Sequence, residues 1–348
     1  MELKNITPKK SARKPKKKKP SGEELSLYIK RTFEKRGKKA LEIARQTISE
    51  EETKLKSKEA REALHYFMNS YWNETTRPAL LSIACEALGG DPDMTTPIAT
   101  PLILISGAVD IHDDIIDQTK SKRNHMTVYG KFGKDIALLV GDALLLKGFT
   151  LFHEAHKKIQ LERADALFQL IKESFYELGD AESLELSLKK RIMNVKVEEY
   201  LEFVHKKAAD FEAYMRISAL LANASTKETE ALGRYGRILG ILVILGDDNF
   251  DMLDPSEMVN RIRNEVWPLP LIYALQKSYL KKKLIPLLQK GKLTTKDAEN
   301  IFDLVYVSGI FDDIESYFKK FVAEAKRNLR FIKNNILLTQ ILESTYPK

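Results

Sequence analysis

Residues 96–117 read TPIATPLILISGAVDIHDDIID, and residues 235–254 read YGRILGILVILGDDNFDMLD. Each stretch is apolar around nearly the whole of a helical wheel and then turns acidic, the pattern of a helix buried inside a bundle with a charged end. Each acidic end carries the same spacing, Asp-Asp-x-x-Asp, at Asp113, Asp114 and Asp117 and again at Asp247, Asp248 and Asp251. With Asp110 and Asp254, these two clusters hold eight of the chain's 19 aspartates, so composition alone does not account for them. On a helix, residues four apart share a face and the next residue lies about 100° away, so each motif sets three carboxylates along one groove. They stand at a C-terminal end, where the macrodipole is already negative, and repulsion plus desolvation there calls for a cation. A hard divalent ion with oxygen ligands answers that need. Mg²⁺, which keeps several waters and pairs carboxylates with phosphate oxygens, suits it best. The competing reading is a pair of solvated helix ends balanced by Lys and Arg.

Outward from these stretches the chain continues to read as helix. From Glu23 on it is rich in Leu, Ala, Glu, Lys and Ile, with only 16 Gly and 12 Pro in all 348 residues, and no clear β-hairpin signal. Apolar residues recur at three- and four-residue spacing in Leu25–Ile48, Ala164–Leu178, Glu198–Ala222 and Ile314–Leu342, which predicts amphipathic helices there. Breaks are expected at Gly89–Pro92, Lys120–Asn124, Leu178–Asp180, Asp254–Ser256 and Gly291–Thr295. The prediction is an all-α chain with a single domain over 23–348, preceded by a disordered basic arm at 1–22.

Charge supports that division. The formal charge is +8, yet residues 1–20 hold nine Lys and Arg against Glu2 alone, so the remainder is neutral. The basic excess describes a tail and not a folded surface, so it does not point to a nucleic-acid-binding fold; the arm itself reads as a nuclear-import signal, a contact for anionic membrane, a nonspecific RNA contact or a solvated tail. Cys85 is the only cysteine, which excludes an internal disulfide framework and a Cys-based zinc or iron–sulfur site. No run reaches about 18 uninterrupted apolar residues, and no apolar segment follows the basic N-terminus, so a soluble, cytoplasmic protein is expected.

The longer context of the motifs resembles the trans-isoprenyl diphosphate synthases, or polyprenyl synthetases, over roughly Glu23 to Leu342. The first motif continues DDIIDQTKSKRNHMTVYGKFGKDIALLVGDALL, with a basic pair, a Thr-Val, a Phe-Gly and an Ala-Leu-Leu-x-Gly-Asp in the family's order. The second is followed by PLPLIYAL, and Arg77-Pro78 and Tyr200-Leu-Glu-Phe-Val with Lys207 are similar too. The resemblance implies an isoprenoid-synthase helical barrel around a deep central cavity, usually a homodimer. It further implies that Asp113, Asp114, Asp117, Asp247, Asp248 and Asp251 hold Mg²⁺, three ions in the family. Lys122 and Lys207 would contact an allylic prenyl diphosphate, and Arg77 and Arg123 isopentenyl diphosphate. Ionisation of the allylic C–O bond and attack by the second substrate's alkene would follow, with Ala108, Val109 and Ile105 as the cavity floor. Because those floor residues are not aromatic, a trans product of C20 or longer is expected.

Several positions depart from the family pattern. Asn73-Glu74 stands where a Gly-Lys is usual before Arg77-Pro78, and Ser106 where a His or Gln is usual. Glu74 beside an anionic diphosphate is unfavourable. Arg261 or Arg263 replaces a lysine-bearing loop after the second motif, Ile244 replaces a Gln, and Asp110, Asp210 and Glu212 add acid in the interior. Two alternatives therefore stay open: an enzyme of the same fold that ionises one allylic diphosphate without elongating it or transfers the prenyl group to another acceptor, and a non-catalytic partner subunit.

Overall fold

The structure, a computed structural model, describes residues 22–122, 125–157 and 161–345. The arm expected at 1–22 lies, except for Gly22, outside the described residues, as does Arg123. Fifteen α-helices follow one another in this region: α1 (Gly22–Glu52), α2 (Lys58–Tyr66), α3 (Thr76–Ala87), α4 (Thr96–Ile116), α5 (Val128–His156), α6 (Leu161–Lys190), α7 (Val197–Lys207), α8 (Ala209–Leu221), α9 (Thr226–Leu253), α10 (Pro255–Asn264), α11 (Leu269–Gln276), α12 (Ser278–Leu288), α13 (Thr295–Val307), α14 (Ile310–Leu329) and α15 (Ile336–Thr345). The domain is all-α, as the sequence predicts. One small exception is a two-stranded antiparallel ribbon, β1 (Ser121–Lys122) and β2 (His125–Met126), where no strand pairing is foreseen.

Two apolar clusters form the core, and α3 and α8 belong to both. Leu80 and Ile83 of α3 and Met215 of α8 face a cluster with Tyr200, Tyr235, Leu239 and Leu242, while Leu81, Cys85, Tyr214 and Ile217 face one with Ile103, Leu104, Ile111 and Leu144. The two motif-bearing helices therefore sit in different clusters, α9 in the first and α4 in the second, with a shared wall between them. Both begin from local signals. Pro97 occupies the first turn of α4, where its missing N–H costs nothing. Ser225 and Glu228 cap α9 reciprocally, Ser225 Oγ accepting from the Glu228 N–H at 3.3 Å and Glu228 Oε2 from the Ser225 N–H at 2.9 Å.

The chain between α4 and α5 turns sharply. Asp117 caps α4, Gln118 takes the left-handed region at φ +57°, and the Thr119 N–H returns to Asp114 O at 2.9 Å. A side chain at Gly130 would lie 2.0 Å from Lys120 O, so only glycine lets α5 start this close to the turn. Another departure from regular helix follows α2, where Phe67–Tyr71 form a π-turn and the Trp72 N–H reaches Phe67 O at 2.6 Å.

Three sequence expectations need correcting. α6 runs without a break through Leu178–Asp180: Gly179 has open space around it and no Pro interrupts the helix. The segment 198–222 is two helices, hinged at Ala208, and 314–342 is likewise divided between α14 and α15. In each case apolar periodicity carries across a short break that contains neither Gly nor Pro. α4 with its preceding turn and α5 are on average apolar and long enough to cross a membrane, and neither is an uninterrupted apolar run, in keeping with the sequence. α4 is mostly buried in the bundle, whereas α5 leaves Leu138, Leu139 and Leu146 exposed.

Candidate active site

Both acidic motifs end buried helices, as their spacing predicts, and the protein supplies cations to each. At the first, the ribbon reverses the chain so that Lys122 points back at α4, with Nζ 2.8 Å from Asp114 Oδ1 and 3.1 Å from Asp110 Oδ1. Asp110 thus pairs with Lys122 one turn before the motif. Lys207, the last residue of α7, lies 3.8 Å from Asp113 Oδ1, and Lys189 of α6 lies 3.3 Å from Asp117 Oδ1.

At the second motif, Asp248 is a fully connected node. Arg261 Nη2 donates to its Oδ1 at 2.7 Å, while the Tyr200 hydroxyl and the Leu269 N–H donate to Oδ2 at 2.5 and 3.1 Å. Arg261 also reaches Asp251 Oδ2 at 3.5 Å and Glu265 Oε2 at 3.0 Å. Arg261 is therefore the arginine that serves the site. Arg263 donates to Leu293 O instead, and Asp254 caps α10 by accepting from the Ser256 N–H at 2.8 Å.

Sequence reasoning missed the face of α6 that joins the motifs. Glu185 is buried and accepts from Lys207 Nζ at 2.9 Å and from the Val266 N–H at 3.4 Å, and Glu182 lies 3.3 Å from the same Nζ. Their spacing with Lys189, three then four residues, was the available signal: it marks a single polar stripe on one helix face.

These surroundings move the carboxyls in different directions. Burial, helped by the neighbouring carboxylates Asp110 and Asp113 at Asp114 and Asp113 at Asp117, pushes both up to about 7, and burial pushes Asp251 up to about 6 and Glu182 up to about 8. Burial also raises Asp248. Burial acts on Asp113 in the same sense, but Lys207 and Lys122 outweigh it and hold that carboxyl below its ordinary value. Burial opposes the charges of Lys122, Lys207 and Arg261, yet the adjacent carboxylates hold all three cationic well above their ordinary range.

The expected metal ligands can be tested against this geometry. Among the described residues no three ligating side chains already converge as a metal cage, because Lys and Arg stand between the carboxylates. However, both oxygens of Asp114 and Oδ1 of Asp113 are buried without an aligned hydrogen-bond donor. Such oxygens are costly unless a cation takes them, and hard oxygen donors are what Mg²⁺ binds. The donor set fits the ion.

The region expected to meet a second substrate is arranged differently. Arg77 donates through Nε to Asp210 Oδ2 at 2.8 Å and through Nη1 to Glu74 Oε2 at 2.7 Å, and Glu74 Oε1 accepts the Arg77 N–H at 3.0 Å. Glu74 and Asp210 thus neutralise the arginine between α3 and α8. Ser106 donates to Leu102 O at 2.6 Å within its own helix. Glu212 sits outside this group, accepting from Arg216 and Arg237, each at 2.7 Å.

Of the floor residues, Ala108 is fully buried, Val109 half-buried and Ile105 buried against α5, where its Cγ1 lies 2.6 Å from the place a side chain on Gly148 would occupy. The adjoining wall is aromatic: Phe67 stacks on Trp72 at 5.2 Å, and both press on Gly107.

The sequence model of the polyprenyl synthetase family matches residues 57–305, which include both motifs. The chain belongs to the polyprenyl synthetase family. It is 29% identical over 278 residues to the geranylgeranyl diphosphate synthase of Methanosarcina mazei, covering 77% of this chain and 83% of that one. It is 28% identical to the octaprenyl diphosphate synthase of Escherichia coli K12, covering 61% and 65%. The crystal structure of geranylgeranyl pyrophosphate synthetase from Pyrococcus horikoshii superposes with a TM-score of 0.78 at 25% identity, covering 94% of this chain and 99% of that one. The polyprenyl synthetase described here is accordingly a prenyltransferase with the isoprenyl synthase fold.

Proposed function

We propose that this prenyltransferase condenses an allylic prenyl diphosphate with isopentenyl diphosphate in a Mg²⁺-dependent reaction, giving a trans-prenyl diphosphate of C20 or longer. The observation that carries this reading is the pairing of Asp113, Asp114, Asp248 and Asp251 with Lys207, Lys122 and Arg261, which sets carboxylate oxygens from both motifs beside cations suited to phosphate. Asp113, Asp114 and Asp117 on α4, and Asp247, Asp248 and Asp251 on α9, would hold the ions; when bound, Mg²⁺ neutralises the charge that develops on departing pyrophosphate.

The protein's own side chains do the rest. Lys122 and Lys207 exchange carboxylate partners for the diphosphate oxygens and hold the leaving group at the mouth. Arg261 keeps Asp248 and Asp251 aligned. Ala108, Val109 and Ile244 keep water from the allylic cation. No protein nucleophile is required, and the departing pyrophosphate is the base that takes the final proton. The exposed Leu138, Leu139 and Leu146 of α5 support a homodimer across that face, where exposed apolar surface otherwise stays wet. The basic arm supports peripheral contact with anionic membrane by an otherwise cytoplasmic enzyme.

A second reading is favoured by one observation, the engagement of Arg77 by Glu74 and Asp210. Under it, the same machinery ionises the allylic diphosphate but passes the prenyl cation to a different acceptor or to none. Incubation with Mg²⁺ and farnesyl or geranylgeranyl diphosphate, with and without isopentenyl diphosphate, separates the readings by pyrophosphate release and product chromatography. Release that needs both substrates supports elongation, release with one supports the second reading, and no release in either case rejects both.

A further inference from the structure

We infer that the cleft between α12 and α13 is a second membrane-contact surface, which seats on the headgroups of an anionic phospholipid bilayer. The cleft has a volume of about 690 Å³ and lies away from both aspartate motifs. Leu287 and Leu304 line it together with Tyr279 and Val307, which are 55 and 84% exposed, and Tyr306, the neighbour of Val307 on α13, is 64% exposed with its ring packed against Phe302 and Phe311. So much apolar and aromatic surface at one place is unusual for a face meant to remain in water.

Charge identifies the occupant. α12 carries three consecutive lysines, of which Lys281 donates to Met193 O at 3.1 Å. Lys282 and Lys283 are exposed and have no ion-pair partner among the described residues, and Lys283 lines the cleft. Asp303 is the one acid lining it. Lys277, just before α12, is taken by Asp313 Oδ2 at 2.6 Å and adds nothing to this free charge. Exposed tyrosine and valine side chains beside the exposed Lys282 and Lys283 match the headgroup boundary of a bilayer, where aromatic residues and lysines with long apolar stems are favoured. An acidic protein partner would meet the lysines equally, but it would leave the near-complete exposure of Val307 at a helix end unexplained.

This surface also complements the basic arm. A run of lysines alone is attracted to an anionic leaflet only through its counterion layer, and stable anchoring takes two signals, one electrostatic and one inserted. The arm supplies the first and the α12–α13 cleft the second.

The test is co-sedimentation of the full 348-residue chain with vesicles of phosphatidylcholine, with and without a third of phosphatidylglycerol, and it reads binding independently of turnover. The chain is expected to bind the anionic vesicles. The pair Tyr306→Ser with Val307→Ser is expected to lower the vesicle partition coefficient by about tenfold, because two inserted side chains are lost. Lys282→Gln with Lys283→Gln should reduce it less and weaken its salt dependence. All four residues are exposed, and circular dichroism checks that the fold is kept; Tyr279→Ser is the milder variant if it is not. Absence of vesicle binding overturns the inference, as does binding that responds to Lys16–Lys19→Gln but is indifferent to the cleft variants. It is also overturned if the variants change oligomeric size or RNA retention while leaving vesicle partition intact, since the face would then serve protein or nucleic acid.

Discussion

The two aspartate motifs have the same sequence spacing but contrasting surroundings. Asp248 of the second receives three well-placed donors, from a guanidinium, a phenol and a backbone N–H. Asp114 of the first is equally buried but has Lys122 close by and no aligned donor at either oxygen. A planar guanidinium in a fork fixes geometry, whereas an ammonium on a flexible stem is a movable point charge. The second motif is thus a rigid half built with the fold, and the first a labile half whose cations can change partners as a phosphate arrives.

That contrast is open to direct attack. The largest effect is expected from Asp114→Asn, which should lower kcat by roughly 10²–10³-fold, as loss of one preorganised electrostatic group does, while costing no more than about 1 kcal/mol of stability and raising it above about pH 6, where the buried carboxyl is otherwise charged. Steady-state kinetics beside chemical denaturation read both numbers, and a large loss of stability would erase the distinction between the halves. Next comes Arg261→Ala, which leaves the buried Asp248 carboxylate without its charge partner and should cost about 3–5 kcal/mol of stability in addition to activity. If that variant is as stable as the parent, the second half is not rigid in the sense described.

A smaller effect concerns pH. Asp114 and Asp117 keep a proton up to about 7 in the fold against an ordinary value of 3.8, and Asp251 up to about 6. A raised carboxyl makes the folded state the better proton binder, so its contribution is fully present below about 4 and is lost as pH rises through the folded value. Thermal melts in chelator should therefore fall from pH 5 to about pH 8, with the part above about 6 coming from Asp114, Asp117 and Glu182, which reaches about 8, and reduced by Asp114→Asn. Added Mg²⁺ should restore more stability at the upper end of that range than at the lower. A flat profile would show that these carboxyls are not desolvated.

The smallest expected effects concern substrate choice. Glu74→Lys removes an ion pair with Arg77 and the acceptor of its N–H, costing about 1 kcal/mol, and should raise isopentenyl diphosphate consumption. An unchanged rate would place Glu74 away from the second substrate. Ala108→Phe should shorten the product, and an unchanged product length would move the floor from α4 to the aromatic wall of Phe67 and Trp72.

How much of this was legible in the sequence depended on how far each signal reaches along the chain. α4 was readable to its ends, because an all-round apolar helix between Pro97 and an acidic terminus leaves few alternatives. The breaks at Ala208 and after Leu329 were not, since periodicity alone does not register a hinge made without Gly or Pro. The six motif aspartates, Lys122 and Lys207 stand out as candidates by spacing and resemblance. Glu182, Glu185 and Lys189 were overlooked, because a polar stripe on a helix is usually a solvated face and only packing shows that this one is turned inward. Asp110, Asp210 and Glu74 looked out of place in the sequence; their partners, Lys122 and Arg77, are 12, 133 and 3 residues away, and two of those separations exceed any local rule.

The π-turn at Phe67–Tyr71 gives the protein an unusual tolerance to one kind of genetic change. A wide turn of this sort holds one residue more than a regular helix would, so losing a single codon there lets the turn close to regular geometry while the chain beyond it keeps its facing. The same loss inside the regular helix α3 would rotate all that follows by about 100° and carry Leu80 and Leu81 off the two apolar clusters they face.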